Sequence, residues 1–455
     1  MLAAVLGLSL TVVAIVVQLA SQRYSPKIID LFMSDGTNLR TFVFMVVSCI
    51  YVVMLPTFSS SEELPSISVL VGLALTVANF GVLLPYFGYV FAFLHPNNVI
   101  TKIEDGAQKS LVKLNSESDR KSIEEAQNDT SAAIERISDN CLAAVNQTDR
   151  SLALHSIRTL ETLLVRYQGL KAGLPAAWSQ ATHDHFFTLS MEFHEEIVRQ
   201  AIWVEAKALM EFEHVMKRAL DKMDGLVSQL ASSTRRIGIA ALDHDDNEAL
   251  GLVLRFFNTY IRHSLNARKV RAVYNILYQY RMLAVKIMAK RPEIGARAAQ
   301  HLVYYGRLAN DMGLPFVTVT VAHDVRIMCE EAFKTPGLDV KPLLSSFLLL
   351  DQLPEGQSEE LALVGVRKAQ SILGAFFIHH GGDSLARQIQ DDMAHESQSR
   401  LFTIREEILS VQERRFWEIT DRGFNFDYVE PELRPEIQAF FEPMLKDDPS
   451  DRSPM

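Results

Sequence analysis

The sequence predicts an all-α protein in which transmembrane helices at the amino terminus precede a large helical domain. Apolar residues make up 48% of the 455 positions, and the long uncharged apolar runs are concentrated in the first hundred residues. From residue 101 onward apolar residues recur at three- and four-residue steps, the period of amphipathic helices. The fold class we expect is therefore a membrane region followed by an α-helical bundle or solenoid-like domain.

Three apolar runs are long enough to cross a bilayer. They cover about residues 2–20, 41–58 and 67–94 and contain no Asp, Glu, Lys or Arg. About 20 apolar residues, each adding roughly 1.5 Å, span the hydrocarbon core. The first run lacks the basic segment that opens a secretion signal, so we interpret it as a permanent span. Residues 1–100 form the predicted transmembrane region.

The charges beside these runs predict their orientation, because Lys and Arg are retained on the cytoplasmic side. The first connection carries Arg23, Lys27 and Arg40, whereas the second carries Glu62 and Glu63 and no base. The bases that follow the third run are Lys102, Lys109, Lys113, Arg120 and Lys121. We therefore expect a multi-pass protein of the cell membrane, with its amino terminus outside and everything beyond about residue 95 in the cytoplasm.

The first connection also carries a motif. Residues 18–27 read QLASQRYSPK, and the apolar stretch that follows predicts a short interfacial helix ending near Gly36. Over about residues 5–110 this pattern resembles a family of bacterial membrane proteins catalogued as domain of unknown function 2254. The resemblance marks an interfacial turn formed by Arg23, Tyr24, Ser25, Pro26 and Lys27.

What this resemblance implies is location and topology, because the family has no settled activity. Family members usually carry one more span upstream, so the resemblance adds the expectation of a further span before Met1. One departure concerns the loop that members usually build around a Ser-Pro-Gly sequence. Residues 144–150 (AVNQTDR) stand in its place, which leaves a function based on that loop without support.

The region after the spans divides at stretches rich in turn-forming residues, such as residues 334–342. We expect a cytoplasmic helical domain at 101–340, a C-terminal helical subdomain at 341–445 and a disordered tail at 446–455. Residues 144–153 resemble residues 241–250, each with a polar turn between two helices. A third turn of this kind lies at 379–386. These turns indicate helical hairpins, as in an α-solenoid or in a plain antiparallel bundle.

A basic stretch is the main charged feature of a chain whose net charge is −10. Ten bases and a single acid lie between Arg262 and Arg307, with five tyrosines among them. In a membrane-tethered protein such a surface would bind anionic lipid head groups, each base contributing about 1 kcal/mol; nucleic acid is a poorer partner. The candidate residues are Arg268, Lys269, Arg271, Lys290 and Arg291. The alternative is internal pairing with the acidic helices around residues 192–213.

Two further groups have plain structural explanations. Asn79, Gly72 and Gly81 lie in the third span, where they would serve helix packing or line a pore. Histidines and carboxylates between residues 183 and 214, and the pair His379 and His380, lack the spacing of a metal site, and their simplest interpretations are a solvated helix surface and a turn. The three cysteines are far apart, and no P-loop or nucleophile elbow occurs, so we expect no cofactor and no metal.

These observations favour a non-enzymatic integral membrane protein whose helical cytoplasmic domain is a scaffold or sensor at the inner leaflet. The alternative is a homo-oligomeric ion channel or transporter lined by the third span, since three spans in one copy are too few for a pore. A metal-dependent enzyme is the weakest of the three hypotheses.

Overall fold

The computed structural model describes residues 2–23, 29, 32–33, 35–55, 66–114, 119–182, 186, 190–351, 360–418 and 420–445. Over these residues it has eighteen α-helices and no β-strand, which confirms the all-α prediction. The predicted interfacial helix lies mostly outside the described residues, and the predicted disordered tail lies wholly outside them.

The chain forms two units, whose boundary falls within the sixth helix. Unit 1 comprises Met1–Leu163 with Gly173–Trp178, and unit 2 comprises Leu164–Ala172 with Ser179–Met455. The domain boundaries that the sequence predicts near residues 100 and 340 stay predictions. The first six helices are α1 (Leu2–Arg23), α2 (Gly36–Met54), α3 (Ser66–Phe93), α4 (Pro96–Lys113), α5 (Arg120–Asn146) and α6 (Arg150–Lys171).

The first three helices carry an apolar surface of the kind that faces lipid. Of the 32 large hydrophobic side chains described as exposed, 24 lie between residues 8 and 91. Soluble proteins rarely expose a contiguous apolar surface of this extent. Two stretches, Gly36–Met54 and Ile67–Phe93, are long and apolar enough to cross a membrane, and α1 contains a shorter apolar stretch, Gly7–Leu19.

A capping residue sets the start of α2. The Asp35 carboxylate accepts hydrogen bonds from the backbone N–H groups of Thr37 and Asn38, at 3.0 and 3.1 Å. This N-cap satisfies amides that the first helical turn leaves without partners. The helix therefore begins five residues before the apolar run that predicted it. At the other end, the Tyr51 hydroxyl approaches the carbonyl of Ser68 at 3.4 Å, which places α2 and α3 antiparallel.

Unit 2 contains the remaining helices. A short 3-10 helix, Ala176–Ser179, lies between α6 and the first of them. They are α7 (Met191–Arg199), α8 (Trp203–Lys222), α9 (Gly225–Asp243), α10 (Asn247–Asn266), α11 (Val270–Lys290), α12 (Pro292–Asp311), α13 (Pro315–Lys334), α14 (Lys341–Leu348), α15 (Glu360–His379), α16 (Asp383–Met393), α17 (Gln398–Ser410) and α18 (Arg434–Phe441).

From α8 onward the helices of unit 2 stack in two layers. The odd-numbered helices α9, α11, α13 and α15 pack side by side, and the even-numbered helices α8, α10, α12 and α14 do the same. Each helix from α8 to α13 also contacts the next one in the chain. Stacked helix pairs of this kind are the architecture of α-solenoids. The prediction of a bundle or solenoid-like domain is therefore confirmed in its solenoid-like form.

Six helix ends share one turn geometry, in which three residues separate two helices. In each turn the middle residue has a positive φ between 52° and 75°. The residue after it donates its backbone N–H to a carbonyl five positions earlier, as Asp246 does to Ala241 at 2.9 Å. This pattern is the Schellman motif. The middle residues are Thr148, Ala201, Asp245, Arg268, Gly313 and Gly381.

The turns noticed in the sequence at residues 144–153, 241–250 and 379–386 are three of these six. Their shared polar composition thus reflects a shared backbone conformation rather than a repeat of fixed length. The other three centre on Ala201, Arg268 and Gly313. Residues with a Cβ are strained at positive φ, and glycine is not.

We expect Ala201→Gly to raise the free energy of unfolding by about 1 kcal/mol, because glycine adopts the left-handed conformation without strain. The matched control is Gly381→Ala, which places a Cβ in the same kind of turn and should lower stability by a similar amount. Thermal unfolding of the purified full chain measures both. Destabilisation by Ala201→Gly would contradict the assignment of this turn.

Candidate functional site

The five predicted anion-binding residues lie at the two ends of α11. Arg268, Lys269 and Arg271 flank its amino terminus, whereas Lys290 and Arg291 lie at its carboxyl terminus. A helix of 21 residues is about 30 Å long. The sequence cluster therefore divides into two groups in space: the amino-terminal cationic turn (Arg268, Lys269 and Arg271) and the carboxyl-terminal pair.

The two groups differ in their acidic partners. Lys290 Nζ lies 2.7 Å from an Asp243 oxygen, and Arg291 Nη2 lies 2.7 Å from an Asp245 oxygen. In the cationic turn, Arg271 lies 3.5 Å from Asp421, with three quarters of the arginine side chain exposed. Over the part of the chain that the structure describes, Arg268 and Lys269 form no ion pair. The carboxyl-terminal pair is thus charge-matched, and the cationic turn is largely unmatched.

Two of the acids that would have matched the basic stretch pair with bases outside it. Glu196 pairs with Arg255 at 2.9 Å, and Glu213 lies 2.6 Å from Lys217. His263 Nε2 also approaches Glu213, at 3.0 Å. The carboxyl-terminal pair is matched by different acids from those that we predicted. They are Asp243, the last residue of α9, and Asp245, in the turn after it.

The predicted polar and small residues of the third span have separate roles. Asn79 is 1% exposed, and its amide donates to the carbonyl of Leu75 at 2.8 Å within the same helix. Gly72 faces α2, since a Cβ there would lie 3.6 Å from Leu55. A Cβ on Gly81 would meet no described atom within 4 Å. Gly72 therefore packs against α2, and Asn79 is buried.

An unpredicted cluster surrounds Asp35 in unit 1. The Tyr89 hydroxyl donates to Asp35 Oδ1 at 2.7 Å, and Lys102 Nζ lies 3.6 Å from Asp35 Oδ2. The same ammonium lies 3.9 Å from the centre of the Phe93 ring. Asp35 thus connects the start of α2 with the end of α3 and with α4. An Asp directly before an apolar helix was the available sequence signal.

Of the interfacial turn, residues 24–27 lie outside the described residues, and Arg23 is the last residue of α1. Of the histidine and carboxylate group, His183, Asp184 and His185 also lie outside them. His194 Nε2 lies 3.2 Å from the carbonyl of Ala181. Among the described residues, no three His, Cys, Asp or Glu side chains come close enough together to hold a metal ion.

A segment that sequence reasoning missed crosses the odd-numbered layer of unit 2. We call residues 411–418 and 420–430 the strap. Its Arg422 is wholly buried and forms two bonds to the carboxylate of Asp324 on α13, at 2.5 and 2.9 Å. Arg422 Nη2 also donates to the carbonyl of Tyr274 on α11 at 3.1 Å. One strap residue therefore joins two helices of the solenoid.

The Asp324 carboxylate has a second cationic partner and an aromatic surround. Arg281 Nε on α11 lies 2.9 Å from Asp324 Oδ1. The Arg422 guanidinium lies 4.4 Å from the centre of the Tyr274 ring, within the range of a cation–π contact. A fully buried charge is tolerated only when it is paired and hydrogen-bonded in this way.

His323, next to Asp324 in the chain, is completely buried, and its ring stacks on Phe426 of the strap at 4.9 Å. Burial lowers the pKa of His323 well below its ordinary value, and the nearby Arg326, Lys368 and Arg422 lower it further. The imidazole is therefore neutral at physiological pH. Strap residue Asp427 accepts a hydrogen bond from Lys368 on α15 at 2.8 Å.

An acidic group lies near the end of unit 2. Arg367 on α15 pairs with Asp351, Asp392 and Glu396, at 2.9, 2.5 and 3.0 Å. Burial raises the pKa of Asp351 to about 6; Asp392 adds to the rise and Arg367 opposes it. The folded protein therefore binds a proton at Asp351 more tightly than the unfolded chain does.

The strap should detach when its arginine is removed. We expect Arg422→Met to lower the free energy of unfolding by about 3 kcal/mol, because it breaks a buried ion pair. Limited proteolysis should then cut within residues 411–430 before it cuts the helices. Arg414→Met is the matched control, since the Arg414 side chain is 73% exposed and pairs only loosely with Glu430. Equal cleavage of both variants would contradict this role.

Stability should depend on the charge of Asp351. Its folded pKa lies above the unfolded value of 3.8, so the folded state is penalised above about pH 6 and relieved as the pH falls towards 4. Asp351→Asn should raise stability at neutral pH by roughly 1–3 kcal/mol and flatten this pH dependence. The measurement is thermal unfolding from pH 4 to 8, with the exposed Asp391→Asn as control. A pH profile of Asp351→Asn that matches the profile of the wild type would contradict this role of Asp351.

Of three comparisons with known proteins, the one with protein families agrees with the membrane assignment. No curated protein matches the chain. Among solved structures, a "Circular tandem repeat protein with novel repeat topology and enhanced subunit contact surfaces" covers 89% of this chain and 95% of its own, at 11% identity and a TM-score of 0.33. Residues 1–156 match the family described as "Predicted membrane protein (DUF2254)". This match confirms the resemblance over the amino-terminal third of the chain.

Proposed function

We propose that this chain is a multi-pass membrane protein whose helical unit 2 is a cytoplasmic scaffold or sensor for anionic lipid. The membrane part of the proposal is supported by the family match and by the exposed apolar surface of α1 to α3. Its orientation is supported by the contact between Asp35 and Lys102, because this contact brings the basic first connection and the basic region after α3 to one end of unit 1.

The observation that carries the sensor hypothesis is the cationic turn before α11. Among the residues that the structure describes, Arg268 and Lys269 have no acidic partner, and Arg271 has a distant one at 3.5 Å. Each base near an anionic membrane surface contributes about 1 kcal/mol. Lys290 and Arg291 contribute less, because an anionic lipid would have to compete with Asp243 and Asp245. The proposed contact therefore narrows to Arg268, Lys269 and Arg271.

The proposal is tested on the full chain in nanodiscs of neutral lipid, with or without added anionic lipid. Anionic lipid should slow amide hydrogen exchange in residues 262–275, and high salt should reverse the effect. The double variant Lys269→Glu with Arg271→Glu should abolish this protection. The control is the double variant Lys290→Glu with Arg291→Glu, which changes the net charge by the same amount and should leave most of the protection in place.

Two results would overturn the proposal. Exchange that is the same in neutral and anionic nanodiscs would mean that the cationic turn contacts no lipid. Equal loss of protection in both double variants would mean that net charge alone, and not this turn, produces the effect.

The channel hypothesis has less support. Asn79, its main candidate, is buried within one protomer, so it would not line a path between copies. Gly81 lies on an open face and is available for contact with another helix. We assign no catalytic role to any residue, and the proposed partners are the bilayer and its anionic head groups.

A further inference from the structure

We propose that unit 1 holds one phospholipid in a groove along α1 and α2, with a hydrogen-bond-donating head group at Asn38. The groove consists of two adjoining cavities of about 400 and 250 Å³ that share Leu10, Phe42 and Tyr86. The first extends to Asn38, and the second extends to Cys49 and Ile50. This site differs from the cationic turn, and it depends only on the membrane placement of unit 1.

The walls of the groove match an acyl chain. The residues that line the first cavity are mostly apolar, among them Leu10, Val13, Val17, Phe32, Met33 and Phe42. Leu10 and Phe42 remain 47% and 39% exposed, so the groove opens on the same surface that faces lipid. Within a bilayer the apolar molecule available to fill such a cavity is a lipid tail.

The length of the groove fits one leaflet. Along α2 it extends from Asn38 to Ile50, which is twelve residues or about 18 Å of helix. Half of a hydrocarbon core is about 15 Å thick. Asn38 lies in the first turn of α2, next to charged Asp35, so the polar end of the groove is at the level of the head groups. An amphiphile would therefore enter with its tail along α2 and its head at Asn38.

The polar end of the groove has an acceptor without a partner. Asn38 is 3% exposed, and its amide nitrogen donates to the carbonyl of Phe32 at 3.0 Å. Its carbonyl oxygen accepts no hydrogen bond from any described residue. A buried acceptor without a donor is destabilising, so a ligand that supplies one is favoured.

The identity of that donor follows from the chemistry of the site. The nearby Asp35 carboxylate is already paired with Lys102 and accepts a hydrogen bond from Tyr89, so the requirement left at Asn38 is for a hydrogen-bond donor. A primary ammonium, as in an ethanolamine head group, is charged and has N–H groups. The quaternary ammonium of a choline head group is charged but has none. The geometry therefore assigns the site to a phospholipid whose head group donates hydrogen bonds, and the ethanolamine type is the one we test against choline.

The test is native mass spectrometry of the purified full chain with ethanolamine and choline phospholipids of identical tails in equal amounts. The wild type should retain one lipid and prefer ethanolamine roughly fivefold, as expected for one net hydrogen bond. Asn38→Leu should retain lipid but lose the preference. Ala14→Trp, which fills the first cavity, should lose both lipids.

The matched control is Ala74→Trp, which places the same side chain on the exposed face of α3 outside the groove and should bind as the wild type does. Equal retention of both lipids by the wild type would overturn the head-group assignment. Undiminished lipid retention by Ala14→Trp would overturn the groove. If Ala14→Trp instead changed the oligomeric state, the occupant would be a second copy of the chain and the lipid proposal would fail.

Discussion

The buried pair of Arg422 and Asp324 is the interaction on which the solenoid-like unit depends. Asp324 is wholly enclosed in the odd-numbered layer, where an unpaired carboxylate would be prohibitively costly. Arg281 supplies one positive charge from α11, but the second comes from the strap, 98 residues further along the chain. The layer and the strap therefore stabilise each other, because neither buried charge is tolerated without the other.

A second buried carboxylate follows the same rule. Glu205 on α8 is fully enclosed, and it accepts hydrogen bonds from Gln168 and Lys171 of α6, at 2.6 and 2.7 Å. Lys171 Nζ also bonds Asp246, the N-cap of α10, at 2.6 Å. Burial acts to lower the pKa of Lys171, but the two carboxylates outweigh burial and raise it, so the lysine stays charged. In unit 2, ion pairs thus fix helices whose apolar contacts alone would leave their register less defined.

The sequence allowed the membrane helices and the all-α class to be predicted, because apolar runs and helical periodicity are local signals. The cationic cluster was misleading about proximity, since Lys269 and Arg291 belong to one basic stretch of the sequence but lie at opposite ends of one helix. The strap could not be foreseen, because nothing near Arg422 marks a partner at Asp324. Turns at Asp245 and Gly381 were visible through their Asp and Gly residues, whereas the turn at Ala201 has no such signature.

The polar residues of unit 1 satisfy their hydrogen bonds in another way. In α1 to α3, the side chains of Thr11, Ser48, Thr76 and Asn79 each donate to the carbonyl four residues earlier in the same helix. Such bonding inside one helix is expected where no water is available. Asn38 departs from it, because its amide nitrogen donates to Phe32 outside α2, and the residue lines the groove. The side-chain carbonyl oxygens of Asn38 and Asn79 both lack a described donor, so the open acceptor is not what sets Asn38 apart. What does is its place in the lining of a groove one leaflet long, where the head group of a bound lipid can supply the donor.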